Sequence, residues 1–192
     1  RRDDRRGLGP EGQHDEDDEE PEAANRTMIL DDAPEFVELG EWLHSHVPVE
    51  SGATIVHNDY RIGNLVLAPD RPGRVAAILD WELATVGDPP ADLAYLVASV
   101  PIIGEPATPT QQLSAALTEP GYPTRDAMID RYVERTGADL EGLRWHAVFA
   151  LWRVAALYEY GRRRAARGGD AYFEDPELVR SFLAAAEREV TR

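Results

Sequence analysis

The sequence predicts an α+β fold that is mostly helical, with a short β-hairpin carrying its polar motifs. Three observations lead there. Apolar residues recur at helical spacing over several long stretches after Asp88, and two short apolar runs flank the turn-rich Pro69-Asp70-Arg71-Pro72-Gly73. Between and beside those runs lie His57-Asn58-Asp59-Tyr60-Arg61-Ile62-Gly63-Asn64 and Asp80-Trp81-Glu82. With 192 residues and 43% hydrophobic content, the chain can bury one core and a small appendage.

Residues 1–27 are nearly free of large apolar side chains and contain an unbroken acidic run from Asp15 to Glu20, so they read as a disordered acidic tail. Gly7-Leu8-Gly9 lacks the strand and helix context that a phosphate loop needs. The ordered domain is expected over 28–192. Phe36, Val37, Leu39, Trp42, Leu43 and Val47 predict an amphipathic helix over 34–47, with Asp32 as cap and Pro34 in its first turn. Thr54-Ile55-Val56 is a β-branched strand that delivers the chain to His57. Leu65-Val66-Leu67 and residues 75–79 form the hairpin.

The rest reads as helical. Asp88-Pro89-Pro90 starts a helix that Pro101 ends, and Asp88 is the expected N-cap. Residues 102–123 are irregular, with a short helix near 111–117. Thr124 opens a helix that stops at Gly137. A long helix over 140–167 carries Trp145, Phe149, Trp152, Ala156 and Tyr160 as a core-facing stripe, before Gly168-Gly169 stops it. Glu159 is a weak candidate for touching a cationic acceptor, and Arg162, Arg163 and Arg164 form a solvated helix end. Asp175-Pro176 caps the last helix.

Composition narrows the function. A net charge of -16 argues against nucleic acid, since phosphate contacts need clustered cations. Without cysteine there is neither a disulfide nor a thiolate metal site, and no apolar run is long enough to be a signal peptide or membrane span. A cytoplasmic location is the simplest expectation. All 20 basic residues are Arg, so no lysine is available to grip nucleotide phosphates.

Phosphoryl transfer to a hydroxyl needs a carboxylate that orients the acceptor and takes its proton, and oxygen ligands that hold a divalent ion against the phosphates. Asp59 suits the first role. Asn64 and Asp80 suit the second, an amide oxygen and a carboxylate being hard donors for Mg²⁺. Asp59 and Asn64 match the D-x-x-x-x-N spacing of kinase catalytic loops. Bland alternatives stand beside these: Asp59 as an acceptor of backbone bonds, Asn64 in a positive-φ turn, and Asp80 with Glu82 on one solvated strand face.

Over about residues 34–190, the segments IVHNDYRIGNLVLAP, AAILDWELATVGDPPADLAYLV and GYP…RYVERTG…ALWRVAALYE resemble the C-terminal lobe of the aminoglycoside phosphotransferase family. Within that family they are most similar to the kinase-like proteins related to acyl-CoA dehydrogenase family members 10 and 11. The resemblance implies a protein-kinase-like fold and phosphorylation of a small-molecule hydroxyl, with ATP as co-substrate and Mg²⁺ as cofactor. It makes Asp59 the catalytic base and Asn64 and Asp80 the metal and cofactor-binding residues. Glu82 becomes an accessory metal or water ligand, with His57 and Asp92 supporting the loop. Where this chain has Asn58 the family usually has Gly, though choline-kinase-like relatives carry Asn. The family also places an N-terminal nucleotide-binding lobe before these motifs, where this chain has an acidic tail and one helix. The expectation is half of an active site, completed by an N-terminal lobe from a separate polypeptide or from a longer reading frame. The alternative is a catalytically inactive kinase-derived binding module or remnant.

Overall fold

The computed structural model describes residues 34–71 and 73–192; the expected acidic tail, Gly7-Leu8-Gly9 and the Asp32 cap lie outside them. Six α-helices and four short strands are present among the described residues. Helix α1 (Pro34–Ser45) buries Leu39 and Leu43. Strand β1 (Thr54–Val56) then leads into the polar loop, and a 3-10 turn (Ile62–Asn64) leads into β2 (Leu65–Leu67). Strand β3 (Val75–Ile78) pairs antiparallel with β2, with a register irregularity at Val66/Leu67. The Ala68 N–H donates to the Arg74 carbonyl at 2.8 Å and closes the hairpin.

A second strand pair lay outside the sequence reading. Thr85-Val86-Gly87 forms β4, antiparallel to β1, with Thr54 opposite Gly87 and Val56 opposite Thr85. Three residues with one glycine give little propensity signal; pairing with β1 is what makes them a strand.

Helix α2 (Pro90–Ala98) follows, with proline in its first turn. Asp88 is not its side-chain cap. Its carboxylate instead accepts from the Ser51 amide at 3.1 Å and hydroxyl at 2.5 Å, and meets His146 Nε2 at 3.2 Å. The irregular region contains α3 (Pro109–Gln112), opened by a Thr108/Gln111 capping box, and a 3-10 turn (Ala115–Thr118). Thr124 caps α4 (Arg125–Thr136), and Gly137 ends it at φ 67°, a left-handed conformation suited to glycine. Next come α5 (Leu143–Ala165) and, after a 3-10 turn (Ala171–Glu174), α6 (Pro176–Thr191) with Asp175 as its side-chain cap.

The core lies where α5 packs against α2 and α6. Phe182, Ala94, Val148, Ala155 and Ala186 are wholly buried, the alanines allowing close helix approach. The expected stripe on α5 therefore points elsewhere. Trp145, Phe149 and Trp152 stack on one another at 5.2 and 6.4 Å, and Trp152 meets Phe36 of α1 at 4.6 Å. Their indole N–H groups donate to the carbonyls of Leu43 and Phe36. These rings fasten α1 to α5, while Tyr160 is 63% exposed. Glu159 is likewise not a free acceptor contact. Arg162 donates to it at 2.7 and 2.9 Å and Arg163 at 3.0 Å, so two arginines of the supposed solvated end are structural.

Candidate functional site

The polar loop after β1 is held from its backbone outwards. Asp92, in the first turn of α2, accepts from the amides of His57 at 2.7 Å and Asn58 at 2.8 Å. One carboxylate thereby satisfies two consecutive donors that no strand or helix serves. Asn58 has φ 65°, in the left-handed region where Asn and Gly are the residues least penalised. This accounts for Asn at a position where the family usually has Gly. Its Nδ2 donates to the Leu83 carbonyl at 3.0 Å, tying the loop to the segment after β3.

His57 is 1% exposed and wedged between that segment and the loop. One ring nitrogen, Nε2, faces the Leu79 carbonyl at 2.7 Å, while the other, Nδ1, receives the Asp59 amide at 3.2 Å. An acceptor opposite Nε2 and a donor opposite Nδ1 fix the tautomer with its proton on Nε2. Both nitrogens are occupied by main-chain partners, which makes His57 a scaffold for Asp59. Trp81 packs over its ring at 4.7 Å.

Three donors converge on the Asp59 carboxylate. Asn64 Nδ2 lies 2.6 Å from Oδ2, Arg61 Nε lies 3.3 Å from Oδ1, and the Tyr95 hydroxyl donates from α2. Burial first, and then the bond to Asp59, pushes the Tyr95 phenol well above its ordinary range, so it stays a donor. Asn64 Nδ2 also donates to the Asp59 carbonyl at 2.8 Å. With the nitrogen committed twice, the Asn64 amide oxygen is the atom left for a cation.

Asp80 is brought beside Asn64 by the hairpin, since the Leu79 amide donates to the Asn64 carbonyl at 2.8 Å. The strand has already ended at Ile78, and Asp80 takes φ 68° before a 3-10 turn (Trp81–Leu83). Asp80 and Glu82 therefore do not share a strand face. The positive φ expected as an alternative at Asn64 falls instead at Asn58 and Asp80, the two non-glycine residues among those described that adopt it. Both Asp80 and Glu82 are exposed.

Among the described residues, no group of three or more His, Cys, Asp or Glu side chains could hold a metal by itself. An amide oxygen and one carboxylate fit Mg²⁺ in the mode where substrate phosphates and water supply the other ligands. An apolar recess of about 590 Å³ lies away from this chemistry, lined by Val97, Val100, Ile102, Leu117, Ile129 and Leu143. None of the loop residues borders it.

Tyr95 and Arg153 escaped the sequence reading. Tyr95 follows Asp92 by three positions, one helical face, and that spacing was its available signal. Arg153 Nη2 donates to the Asn58 carbonyl from 95 residues away, which no local pattern announces.

Comparison with known proteins shows the family. The family model described as "Phosphotransferase enzyme family" matches residues 3–146. Acyl-CoA dehydrogenase family member 10 of Mus musculus is 32% identical over 142 residues, covering 70% of this chain and 13% of that protein. Acyl-CoA dehydrogenase family member 11 of Mus musculus is 31% identical over 142 residues, covering 72% of this chain and 18% of that protein. The chain thus spans less than a fifth of either relative. A crystal structure from Ralstonia eutropha JMP134, provisionally assigned as an aminoglycoside phosphotransferase, superposes with a TM-score of 0.67 at 28% identity. The match covers 87% of this chain and 54% of that one. The loop built on Asp59, Asn64 and Asp92, the fold around it and these relatives together place the chain in the aminoglycoside phosphotransferase family, alongside acyl-CoA dehydrogenase family members 10 and 11.

Proposed function

We propose that the chain carries the acceptor-side half of an ATP-dependent kinase that phosphorylates a hydroxyl on a small molecule, in a cytoplasmic setting. The supporting observation is the Asp59–Asn64 pair, in which the Asn64 amide nitrogen fixes the carboxylate at 2.6 Å and leaves its own oxygen for a metal. Asp59 orients the acceptor hydroxyl and takes its proton as the oxygen attacks the γ-phosphorus and the bond to the β,γ-bridging oxygen breaks, releasing ADP. Asn64 and Asp80 hold Mg²⁺, and exposed Glu82 is an accessory ligand to metal or water. Mg²⁺, when bound, neutralises charge on the nucleotide phosphates. His57 and Asp92 keep the loop in register.

The test is phosphate transfer from MgATP to a panel of hydroxylated small molecules, by the chain alone and with a nucleotide-binding lobe added in trans. Transfer that disappears in Asp59→Asn and falls in Asp80→Ala supports the reading. Turnover undiminished in Asp59→Asn overturns it. MgATP raising the melting temperature of the chain, with no transfer under either condition, favours the binding-module alternative.

A further inference from the structure

Arg153 lies mid-way along α5, only partly exposed, in a place where stability alone gives it little reason to be. Its Nε is buried without a hydrogen-bond partner, and it forms no ion pair with a carboxylate among the described residues. A desolvated cation without a counter-charge is unfavourable, and an apolar side chain of similar volume is commonly neutral or better at such a site.

Its two contacts are specific. Nη2 donates to the carbonyl of Asn58, and the guanidinium lies 5.8 Å from the centre of the Tyr95 ring. Asn58 is the left-handed residue just before Asp59, and the Tyr95 hydroxyl is one of the donors on the Asp59 carboxylate. A left-handed non-glycine residue costs about 1 kcal/mol or more and persists only where its surroundings over-determine it. Asp92 and Leu83 hold the Asn58 amide and side chain, but its carbonyl is held from α5 by Arg153. One side chain therefore touches both the peptide that aims Asp59 and the ring that bonds it.

We propose that Arg153 is a positioning residue for Asp59, clamping the Asn58–Asp59 peptide and the Tyr95 ring in a single arrangement. The proposal rests on Asp59 as the base, but its geometry can be tested without turnover. Amide hydrogen exchange is measured on the full chain for Arg153→Met and Arg153→Lys. In the Met variant, exchange at Asn58 and Asp59 speeds up roughly tenfold, the scale of one charge-assisted bond lost from the loop. Phe182 and Leu183 in α6 keep their wild-type exchange. Lysine, which retains a cationic donor for the Asn58 carbonyl, stays within about threefold of wild type. Should the Met variant not fold, Arg153→Gln, too short to reach that carbonyl, carries the same measurement.

In the transfer assay, Arg153→Met lowers kcat about tenfold and leaves KM for MgATP unchanged, because it misaims a base without touching nucleotide. Wild-type exchange at Asn58 and Asp59 in the Met variant overturns the proposal. So does acceleration of equal size in α6, which would make Arg153 a general stabiliser. If the wild-type chain transfers no phosphate either alone or with an added nucleotide-binding lobe, the proposed function fails while exchange still decides the role of Arg153.

Discussion

Removing the Asp92 carboxylate should damage this protein more than any other single change at the surface of its loop. In Asp92→Ala the amides of His57 and Asn58 lose acceptors at 2.7 and 2.8 Å, and the loop offers neither a replacement. Bonds to a charged acceptor contribute about 1.5 to 3 kcal/mol each. Asp92 is partly exposed, so the lower figure applies to both, giving about 3 kcal/mol. Its favourable place in the first turn of α2 adds about 0.5 kcal/mol. At about 2 to 4 °C per kcal/mol for a domain of this size, the melting temperature should fall by about 7 to 14 °C. Asp92→Asn keeps one acceptor oxygen but turns an N–H towards a backbone N–H, so it should lose at least about half as much. Thermal unfolding followed by circular dichroism at pH 7 reads both. An Asp92→Ala melting point within about 1 °C of wild type would show that water replaces the carboxylate and refute the account of how the loop is held.

Two further outcomes follow from groups outside the loop. Burial alone would push the Asp88 and Glu159 carboxyls up. Bonds from Ser51 and His146 to Asp88, and from Arg162 and Arg163 to Glu159, outweigh it and hold both below their ordinary values of 3.8 and 4.5. Depressed folded values mean that these bonds stabilise above the unfolded values and are lost as pH falls through the folded ones. Urea midpoints should be level above about pH 5 and fall steeply below about pH 4, and Glu159→Gln should flatten that limb; an unchanged slope would remove Glu159 from the account. At Gly161 a Cβ would lie 2.7 Å from the Phe173 ring. Gly161→Ala gains about 1 kcal/mol of helix propensity and incurs about 1 to 3 kcal/mol of overpacking, for a net loss of about 1 kcal/mol. In a Phe173→Ala background the same change should stabilise, and a double-mutant cycle without that reversal would count against the clash.

The legible parts of this fold were those where local chemistry and tertiary position agree. Pro90, Thr124, Gly137, Asp175 and Pro176 mark helix boundaries because caps and fixed φ values act within a few residues. The spacing of Asp59, Asn64 and Asp80 was readable because one short hairpin sets it. What escaped depends on partners far along the chain. Trp145 and Trp152 looked like core because apolar spacing cannot say which neighbour a face meets, and here it meets α1. Asp88 sits where a cap belongs, yet Ser51 and His146 claim its oxygens. Tyr95 and Arg153 carry no motif, and their significance appears only when α2 and α5 lie against the loop.

The pairing of β1 with β4 sets Thr54 opposite Gly87, so the stretch carrying Asp59, Asn64 and Asp80 begins and ends at one point. A segment whose two ends meet imposes no span on what flanks it. It is a cassette: insertions at the hairpin tip can alter its setting without changing the distances within it, while Asp92 and Arg153 tie it to α2 and α5. Changes of length at the hairpin tip are then free to accumulate while the spacing of Asp59, Asn64 and Asp80 is kept.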